Sequence, residues 1–418
     1  MKSAWKLRLA ATAGSIALWS PAAVAQDTPA DSADAPAATA NRSATYLDLT
    51  AGLGYSSNPR MEFGDSTGSA FGRVSARGFH SIAGERTSGS VTGFVEASSY
   101  FQDYGLESIF ALEGNISHQA SEKVTVFGSA GFTGDISGQL SNRFLYTPPD
   151  VVVPDPNIPP PVTVEDPDLF GFAGRQYSMY GQVGASIRVS ERGRVNVSGG
   201  AKRIFYSEDL LNDYTSLFGT VSYDHTLSER TSLGASVMVD HTNYDNSSDT
   251  TTIINPTVYV RTQLDENWEA TAALGVSFAK VERFGDTDNS TNFSADGSIC
   301  RTTATERLCA RLAQYSSASA TEGLVTTSSL GVDWFKRLDV NQTIQLSASA
   351  VRYEIDDPIF DTGPSHHYRV AASYSRRIND RLSAGADLGA RTLRLDGPDP
   401  DADFSGSLFV RYRLGDLG

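Results

Sequence analysis

Beyond residue 44, apolar and polar residues alternate along the chain in stretches longer than most strands of globular proteins. The pattern is clearest in segments 268–278, 382–390 and 404–414, where most apolar residues occupy every second position and small, polar or charged residues lie between them. A strand with one apolar and one polar face has this period of two. About 9–11 residues of tilted strand cross a bilayer, so these segments predict membrane-spanning β-strands.

The connections between these segments are of two kinds, and the two kinds alternate along the chain. Short polar turns, such as 190–193, 265–267 and 379–381, are followed by longer segments rich in Asp, Gly, Pro and Ser, such as 139–172 and 284–322. Short periplasmic turns opposite longer outer loops are typical of a transmembrane β-barrel. The sequence therefore predicts an all-β fold, a transmembrane antiparallel up-and-down β-barrel of about sixteen strands, with a range of about fourteen to eighteen left open.

Both ends of the predicted barrel fall on the side of the short turns, which is the periplasmic side. The predicted strands are 44–56, 68–81, 87–101, 106–119, 122–138, 173–190, 194–206, 212–227, 231–244, 250–264, 267–283, 323–337, 341–356, 364–378, 381–396 and 403–416.

The N-terminus has the organisation of a secretory signal peptide. Basic residues at the start are followed by the short apolar segment 9–19 and by Ala23-Val24-Ala25, a small-x-small cleavage pattern. Residues 1–25 are therefore predicted to be a signal peptide. The alternative is an uncleaved anchor, which is disfavoured because the apolar segment is too short to span a bilayer comfortably.

Two further regions complete the predicted organisation of the chain. Residues 26–43 consist largely of Ala, Pro, Asp and Ser. Such a segment cannot bury enough apolar surface to offset the entropy of ordering, so we expect a disordered periplasmic arm. Residues 44–418 are predicted to form the outer-membrane β-barrel.

Charge and cysteine content narrow the possibilities further. The formal net charge of −15 argues against nucleic acid as a partner. Cys300 and Cys309 are the two cysteines of a chain predicted to enter an oxidising compartment. Their short separation favours a disulfide. Both lie in segment 284–322, which is predicted to be an outer loop outside the barrel wall.

The sequence carries no motif of a known type of catalytic site. It contains no G-x-S-x-G, H-E-x-x-H, C-x-x-C or phosphate-binding loop. The adjacent residues His366 and His367 would point to opposite faces of a strand, so they do not make a ligand pair. We therefore expect no enzymatic activity and no cofactor or metal.

Charged residues on the polar face of the predicted strands are candidates for the lining of the lumen. A charge on the lipid face near the bilayer centre costs about 2–4 kcal/mol, so these side chains are expected to face inward or to lie near the rim. They line an aqueous pathway in one interpretation and only solvate the wall in the other. The candidates are Glu113, Arg188, Asp240, Arg261, Glu269, Asp333, Asp387, Arg391, Arg411 and Arg413.

The loop 139–172 is rich in proline and in acidic residues, and it is the third outer loop in the predicted order. A stiff, extended loop at the surface is the favoured interpretation. The alternative is a loop that folds into the lumen and narrows it.

The first predicted strand resembles the start of the β-barrel porin 2 family of outer-membrane proteins. The resemblance lies in Gly52, Gly54, Tyr55 and Asn58, which match a Gly-x-Gly-Tyr-x-x-Asn pattern. It is supported by the signal peptide and by the paired short turns. The resemblance implies an outer-membrane barrel, often encoded near polysaccharide or export genes.

Two functional hypotheses follow for a chain of this organisation in the cell outer membrane. The first is a porin-like channel for passive diffusion of small hydrophilic solutes, since about sixteen strands leave an aqueous channel. The alternative is a structural or polysaccharide-export-associated barrel with little conductance. In either case the expected partners are outer-membrane lipid, lipopolysaccharide and the barrel insertion machinery.

Overall fold

The computed structural model describes residues 44–61, 67–102, 104–136, 175–207, 211–245, 247–283, 285–356, 363–395 and 399–415. The predicted signal peptide, the predicted periplasmic arm and the predicted loop 139–172 lie outside the described residues. No helix in the described part of the chain has the length and apolar character of a membrane span.

The described residues form one closed sheet of eighteen strands. Each strand is antiparallel to the next, and the last strand pairs with the first through the register Tyr46–Gly415 to Ser56–Ser405. Closure leaves no sheet edge exposed to lipid where the ladder is continuous. The strands are β1 (Thr45–Ser56), β2 (Ser69–Ala83), β3 (Thr87–Tyr100), β4 (Leu106–Gln119), β5 (Val124–Ile136), β6 (Arg175–Arg188), β7 (Gly193–Tyr206), β8 (Tyr214–Ser228), β9 (Thr231–Tyr244), β10 (Thr250–Gln263), β11 (Trp268–Arg283), β12 (Asp286–Thr302), β13 (Glu306–Ala318), β14 (Leu324–Asp339), β15 (Gln342–Asp356), β16 (Ser365–Arg377), β17 (Leu382–Arg394) and β18 (Asp403–Gly415).

Side chains of Asp and Asn stabilise the short turns. The carboxylate of Asp265 accepts a hydrogen bond from the backbone N–H of Trp268 at 2.9 Å, between β10 and β11. The side chain of Asn379 accepts one from the backbone N–H of Leu382 at 2.9 Å, between β16 and β17. These contacts satisfy backbone donors that a tight turn leaves without a strand partner. The polar turn residues recognised in the sequence therefore fix where the strands reverse.

The barrel fold is confirmed, with eighteen strands rather than about sixteen. Each of the predicted strands overlaps a strand of the structure, and the difference arises in segment 284–322, which forms β12 and β13 instead of an outer loop. The first part of β12, which lies near the outer mouth, carries Thr287, Asn289 and Thr291 on the face where a membrane strand normally carries apolar residues. The alternating signal is therefore absent there, although the backbone pairs with β11.

The predicted disulfide is present, but its predicted place outside the wall was wrong. Cys300 on β12 and Cys309 on β13 face each other directly in the ladder, with a Cα–Cα distance of 4.1 Å, and are joined as a disulfide. Both side chains are buried. Directly opposed residues in an antiparallel pair bring their Cβ atoms close together, so a cross-strand bridge fits this position. The bridge lies in the barrel wall near the short turn between the two strands.

Candidate functional site: the lumen and its outer mouth

Alternation gives the barrel wall two chemically different faces. On β18, Phe404 and Leu408 are 63% and 69% exposed, whereas Asp403 and Arg413 are 4% and 7% exposed. Successive side chains of a strand point to opposite sides, so the exposed apolar set forms the outer surface and the polar set faces the lumen. The apolar face continues around the barrel through Leu53, Val74, Val95, Leu112, Val183, Leu217, Val237, Val258, Leu274, Leu330, Val370 and Leu388.

An apolar outer surface on a closed antiparallel barrel is the architecture of a protein that spans the outer membrane. In the membrane, hydrocarbon instead of water contacts this apolar outer surface, here named the apolar band. The closed ladder provides the backbone hydrogen bonds that hydrocarbon cannot provide.

Every charged residue that the sequence assigned to the lumen lies on the strand face opposite the apolar band. Each is an odd number of positions from an exposed apolar residue of its own strand. They are Glu113 on β4, Arg188 on β6, Asp240 on β9, Arg261 on β10, Glu269 on β11, Asp333 on β14, Asp387 and Arg391 on β17, and Arg411 and Arg413 on β18. Their role as the lining of a conducting pathway stays a prediction.

Asp387 belongs to a network that links strands across the closure of the barrel. Its carboxylate accepts hydrogen bonds from Arg73 Nη2 on β2 at 3.0 Å and from Ser373 Oγ on β16 at 2.8 Å. The same guanidinium donates to Ser407 Oγ at 3.1 Å and lies 3.9 Å from the carboxylate of Glu96. Charge-assisted hydrogen bonds of this kind hold the charged side chains in fixed orientations.

Other candidates also have partners on neighbouring strands. Arg413 makes a two-pronged contact with Asp48 on β1, at 2.8 and 2.9 Å. Arg391 Nε lies 3.1 Å from Asp403, and Arg261 lies 3.7 Å from Glu269.

Two further candidates, Asp240 and Arg411, contact neutral groups. The carboxylate of Asp240 accepts a hydrogen bond from Ser216 Oγ at 2.6 Å, and Arg411 donates to Thr50 Oγ1 at 3.3 Å. Where these contacts occur, charges are held by adjacent strands instead of extending into the open lumen. The wall is therefore polar without forming one large field of a single sign.

The outer mouth is narrowed by the β13–β14 hairpin, which rolls into the barrel. β12 pairs with β11 as far as Asp286 opposite Arg283, but its pairing with β13 ends at Ala295 opposite Gln314. Beyond Gln314, β13 continues to Ala318 paired with β14. The β11–β12 and β13–β14 hairpins therefore diverge between the pair Ala295–Gln314 and the outer mouth. The connecting residues 319–323, here named the tip segment, lie inside the mouth.

The tip segment contacts strands on the other side of β12. The backbone N–H of Asn212, next to β8, donates to the carbonyl of Ala320 at 2.9 Å. Ala320 is fully buried in an apolar cluster that includes Ile204 of β7 and Tyr244 of β9. Arg283 Nη2 donates to the carbonyl of Thr321 at 2.8 Å. The tip segment is thus anchored by both main-chain and apolar contacts.

The base of the rolled hairpin packs against the inner wall. Leu324 contacts a cluster formed by Ile253 of β10 and Ala279 of β11, both on the lumen face. Asn292 Nδ2, on the inner face of β12, donates to Ser316 Oγ of β13 at 3.2 Å. By alternation Ser316 would lie on the outer face of the wall, yet it is buried, because that face of the hairpin lies against the inside of β12.

Glu322 connects the tip segment to the connection between β9 and β10. Its carboxyl group is hydrogen-bonded with Ser247 and with the carboxyl group of Asp249, in the connection between β9 and β10. Burial raises the pKa of Glu322 above its ordinary value, and Asp249 raises it further, while Ser247 and Arg283 oppose the shift. Burial and the neighbouring carboxyl group therefore favour the protonated form of Glu322.

Glu322 also has an unfavourable backbone conformation. Its φ of 65° lies in the left-handed region, which costs a residue with a side chain about 1–2 kcal/mol. The next residue, Gly323, would adopt this conformation more easily. The turn of the tip segment holds this conformation, since the backbone N–H of Glu322 donates to the carbonyl of Ser319 at 3.2 Å.

No protein-family model and no curated protein matches this chain. Among solved structures, it is similar to OpdQ of Pseudomonas aeruginosa, with a TM-score of 0.44 and 9% identity over 89% of this chain and 98% of that chain. It is similar to OccK1 of the same organism, with a TM-score of 0.43 and 8% identity over 89% and 99%. For the FrpB iron transporter of Neisseria meningitidis the TM-score is 0.45 and the identity 11%, over 84% and 62%.

At these scores the similarities add no argument about the function of this chain. The resemblance of the first strand to the β-barrel porin 2 family stays a prediction.

Sequence reasoning did not identify the residues that define the mouth. Asp249, Arg283 and Glu322 are single charged residues at strand ends or in connections, where charged residues are common. Only the path of the β13–β14 hairpin brings them together. No local pattern in the sequence signals this path.

Proposed function

We propose that this protein is a porin-like channel of the outer membrane, through which small hydrophilic solutes diffuse passively. The observation that carries the proposal is the closed eighteen-strand barrel with an apolar outer face and a polar inner face. Barrels of about 16–18 strands are wide enough to leave an aqueous channel. Diffusion through such a lumen needs no enzymatic activity and no cofactor.

The membrane partners in this proposal follow from the same two faces. The outer apolar band contacts lipid, and the outer rim lies beside lipopolysaccharide. Assembly of the closed barrel uses the barrel insertion machinery.

One feature favours a second candidate, a structural or polysaccharide-export-associated barrel with little conductance. The tip segment and Leu324 lie across part of the mouth, anchored to β7–β11. If this obstruction closed the lumen completely, the barrel would serve as a scaffold and pass few solutes.

Solute entry into proteoliposomes separates the two candidates. Vesicles containing the purified protein are placed in isotonic solutions of sugars of increasing size, and the swelling rate is measured. A channel admits small sugars quickly and larger ones progressively more slowly. A scaffold gives the same rate as vesicles that contain heat-denatured protein, which would contradict the proposal.

Neighbouring alanines of β11 provide a matched control. Ala273 faces the lumen, opposite Tyr259 of β10, and Ala272 faces outward. Ala273→Trp is expected to slow the entry of the larger sugars because it narrows the pathway, whereas Ala272→Trp should leave the rates unchanged. Equal effects of the two substitutions would show that solutes do not pass through the lumen.

A further inference from the structure

The upper part of β12 has an edge that no strand of the described barrel covers. Residues Asp286–Ser294 pair with β11 on one side. On the other side, the ladder with β13 ends at Ala295. An uncovered edge presents backbone donors and acceptors to any strand of suitable register. Here the segment best placed to use it is the continuation of β13 itself.

The unpaired space between Asp286–Ser294 of β12 and the outer end of β13 is here named the gap. The existing register of β12 and β13 can continue across the gap without a change of face. Extending the ladder from Ala295–Gln314 would place Phe293 opposite Ser316 and Ser290 opposite Ser319. By alternation Phe293 and Ser316 belong to the outer face, and Ser290 and Ser319 to the inner face. No β-bulge is needed, and β13 and β14 would keep their mutual pairing, which is continuous to Ala318–Leu324. β14 is also paired with β15 as far as Leu324–Asp356, so the outer end of β15 moves with the hairpin.

The two strands are fastened together below the gap. The disulfide between Cys300 and Cys309 lies on the same ladder, between the gap and the short turn. It keeps the register of the lower part while the upper part separates. Polar contacts of Asn292 with Ser316 and of Arg283 with the carbonyl of Thr321 hold the hairpin inside. The apolar contacts of Ala320 and Leu324 add to them.

We propose that the β13–β14 hairpin is a gate. It closes the mouth when the tip segment is bound to β7–β11, and it opens the mouth when β13 pairs with the uncovered edge of β12. In the open form new backbone hydrogen bonds to β12 replace those of the tip segment. The described structure is the closed form. This proposal rests on the proposed channel function only for its consequence, not for the movement itself.

The gap separates two hairpins and is not a route by which apolar solutes pass from the lumen to the lipid. The side chains that meet there, Asn292, Ser316 and Thr326, are polar and hydrogen-bond with one another at 3.2 to 3.5 Å. A route for apolar solutes would require an apolar lining.

Two pairs of introduced cysteines distinguish the two forms. Asn212→Cys with Ala320→Cys should lock the closed form, because the two backbones are joined by a hydrogen bond of 2.9 Å. Ser290→Cys with Ser319→Cys should lock the open form, because the extended register places them in the same relation as Cys300 and Cys309. In the closed form the two positions are not paired. Ser319 adjoins Ala320, which lies against β7, β8 and β9, whereas Ser290 pairs with Ala279 of β11.

Cross-linking is read first, on protein isolated from outer membranes with the native disulfide kept in every variant. After mild oxidation, unreacted thiols are capped with a maleimide and the mobility on a non-reducing gel is measured. Both double variants should form their bridge, and the four single-cysteine controls should not shift. A Ser290→Cys/Ser319→Cys protein that forms no bridge while the other pair forms one would overturn the movement, whether or not the protein conducts.

Conductance in planar bilayers then tests the consequence of the movement. The oxidised Asn212→Cys/Ala320→Cys protein should lose the larger conductance level that appears on reduction. The oxidised Ser290→Cys/Ser319→Cys protein should keep that level. Conductance that is the same in both oxidised proteins would overturn the gate. If no variant conducts but both bridges form, the movement stands and the channel function fails.

Discussion

At the scale of single residues, the carboxyl group of Glu322, which lies beside Asp249, is expected to make the mouth sensitive to pH. Because burial and Asp249 raise the pKa of Glu322 above its ordinary value of 4.5, the seated tip segment favours the protonated form. Its stabilisation is complete below the ordinary pKa and is lost as the pH rises through the raised pKa. Conductance is therefore expected to be lowest in acid and to rise with pH over this interval.

Glu322→Gln should abolish that dependence, because the amide keeps a hydrogen-bonding group beside Asp249 without a charge. The conductance of this variant is expected to stay low over the whole interval. A suitable control is Glu354→Gln on β15, whose side chain is 57% exposed and pairs with Arg352. An unchanged pH profile in Glu322→Gln would show that the carboxyl pair does not control the tip segment.

The facing of side chains is a second property of single residues, and alternation alone predicts it. Leu388 is 64% exposed on the outer face, whereas the adjacent Asp387 is held by Arg73 on the inner face. Leu388→Arg should destabilise the inserted barrel by about 2–4 kcal/mol near the centre of the bilayer. Asp387→Asn should cost less, because the amide retains a hydrogen-bond acceptor for Arg73.

Urea unfolding of both variants in lipid vesicles measures this difference. Equal loss of stability in the two variants would mean that the register assigned to β17 is wrong. Sequence reasoning could predict these orientations because every position of a membrane strand faces either lipid or lumen. It could not predict the partners, since the contact between Asp387 and Arg73 joins residues that are distant along the chain.

At the scale of strands and turns, the cysteine pair shows where local sequence information ends. The short separation of Cys300 and Cys309 was enough to predict the disulfide. The separation was not enough to place the disulfide in the barrel wall, because the polar residues at the outer positions of β12 remove the alternating pattern by which a strand is recognised. The ladder with β11 forms nevertheless, since backbone hydrogen bonds do not depend on apolar side chains.

Replacing both cysteines by serine is expected to lower the free energy of unfolding by about 2–3 kcal/mol at most, since the bridge closes a short loop. The loss is measured by urea unfolding against the parent chain under non-reducing conditions. Maleimide labelling of the native, unreduced parent should find no reactive thiol. Labelling of both cysteines in the folded parent would contradict the disulfide.

At the scale of the whole molecule, the sequence predicted the closed barrel but not its mouth. Alternation and turn chemistry act over a few residues and repeat in every hairpin, so even an incomplete set of strands identified the architecture. The inward roll of β13 and β14 depends on contacts with β7–β11, which are remote in the chain. Such contacts leave no periodic signal.

Single-channel recording of the purified protein in planar bilayers tests the central claim most directly. An aqueous lumen predicts discrete, reproducible conductance steps that appear only with protein that is folded and inserted, as shown by faster migration of the unheated sample on a gel. A flat baseline from protein that passes this check for insertion would contradict a channel and would favour the structural barrel.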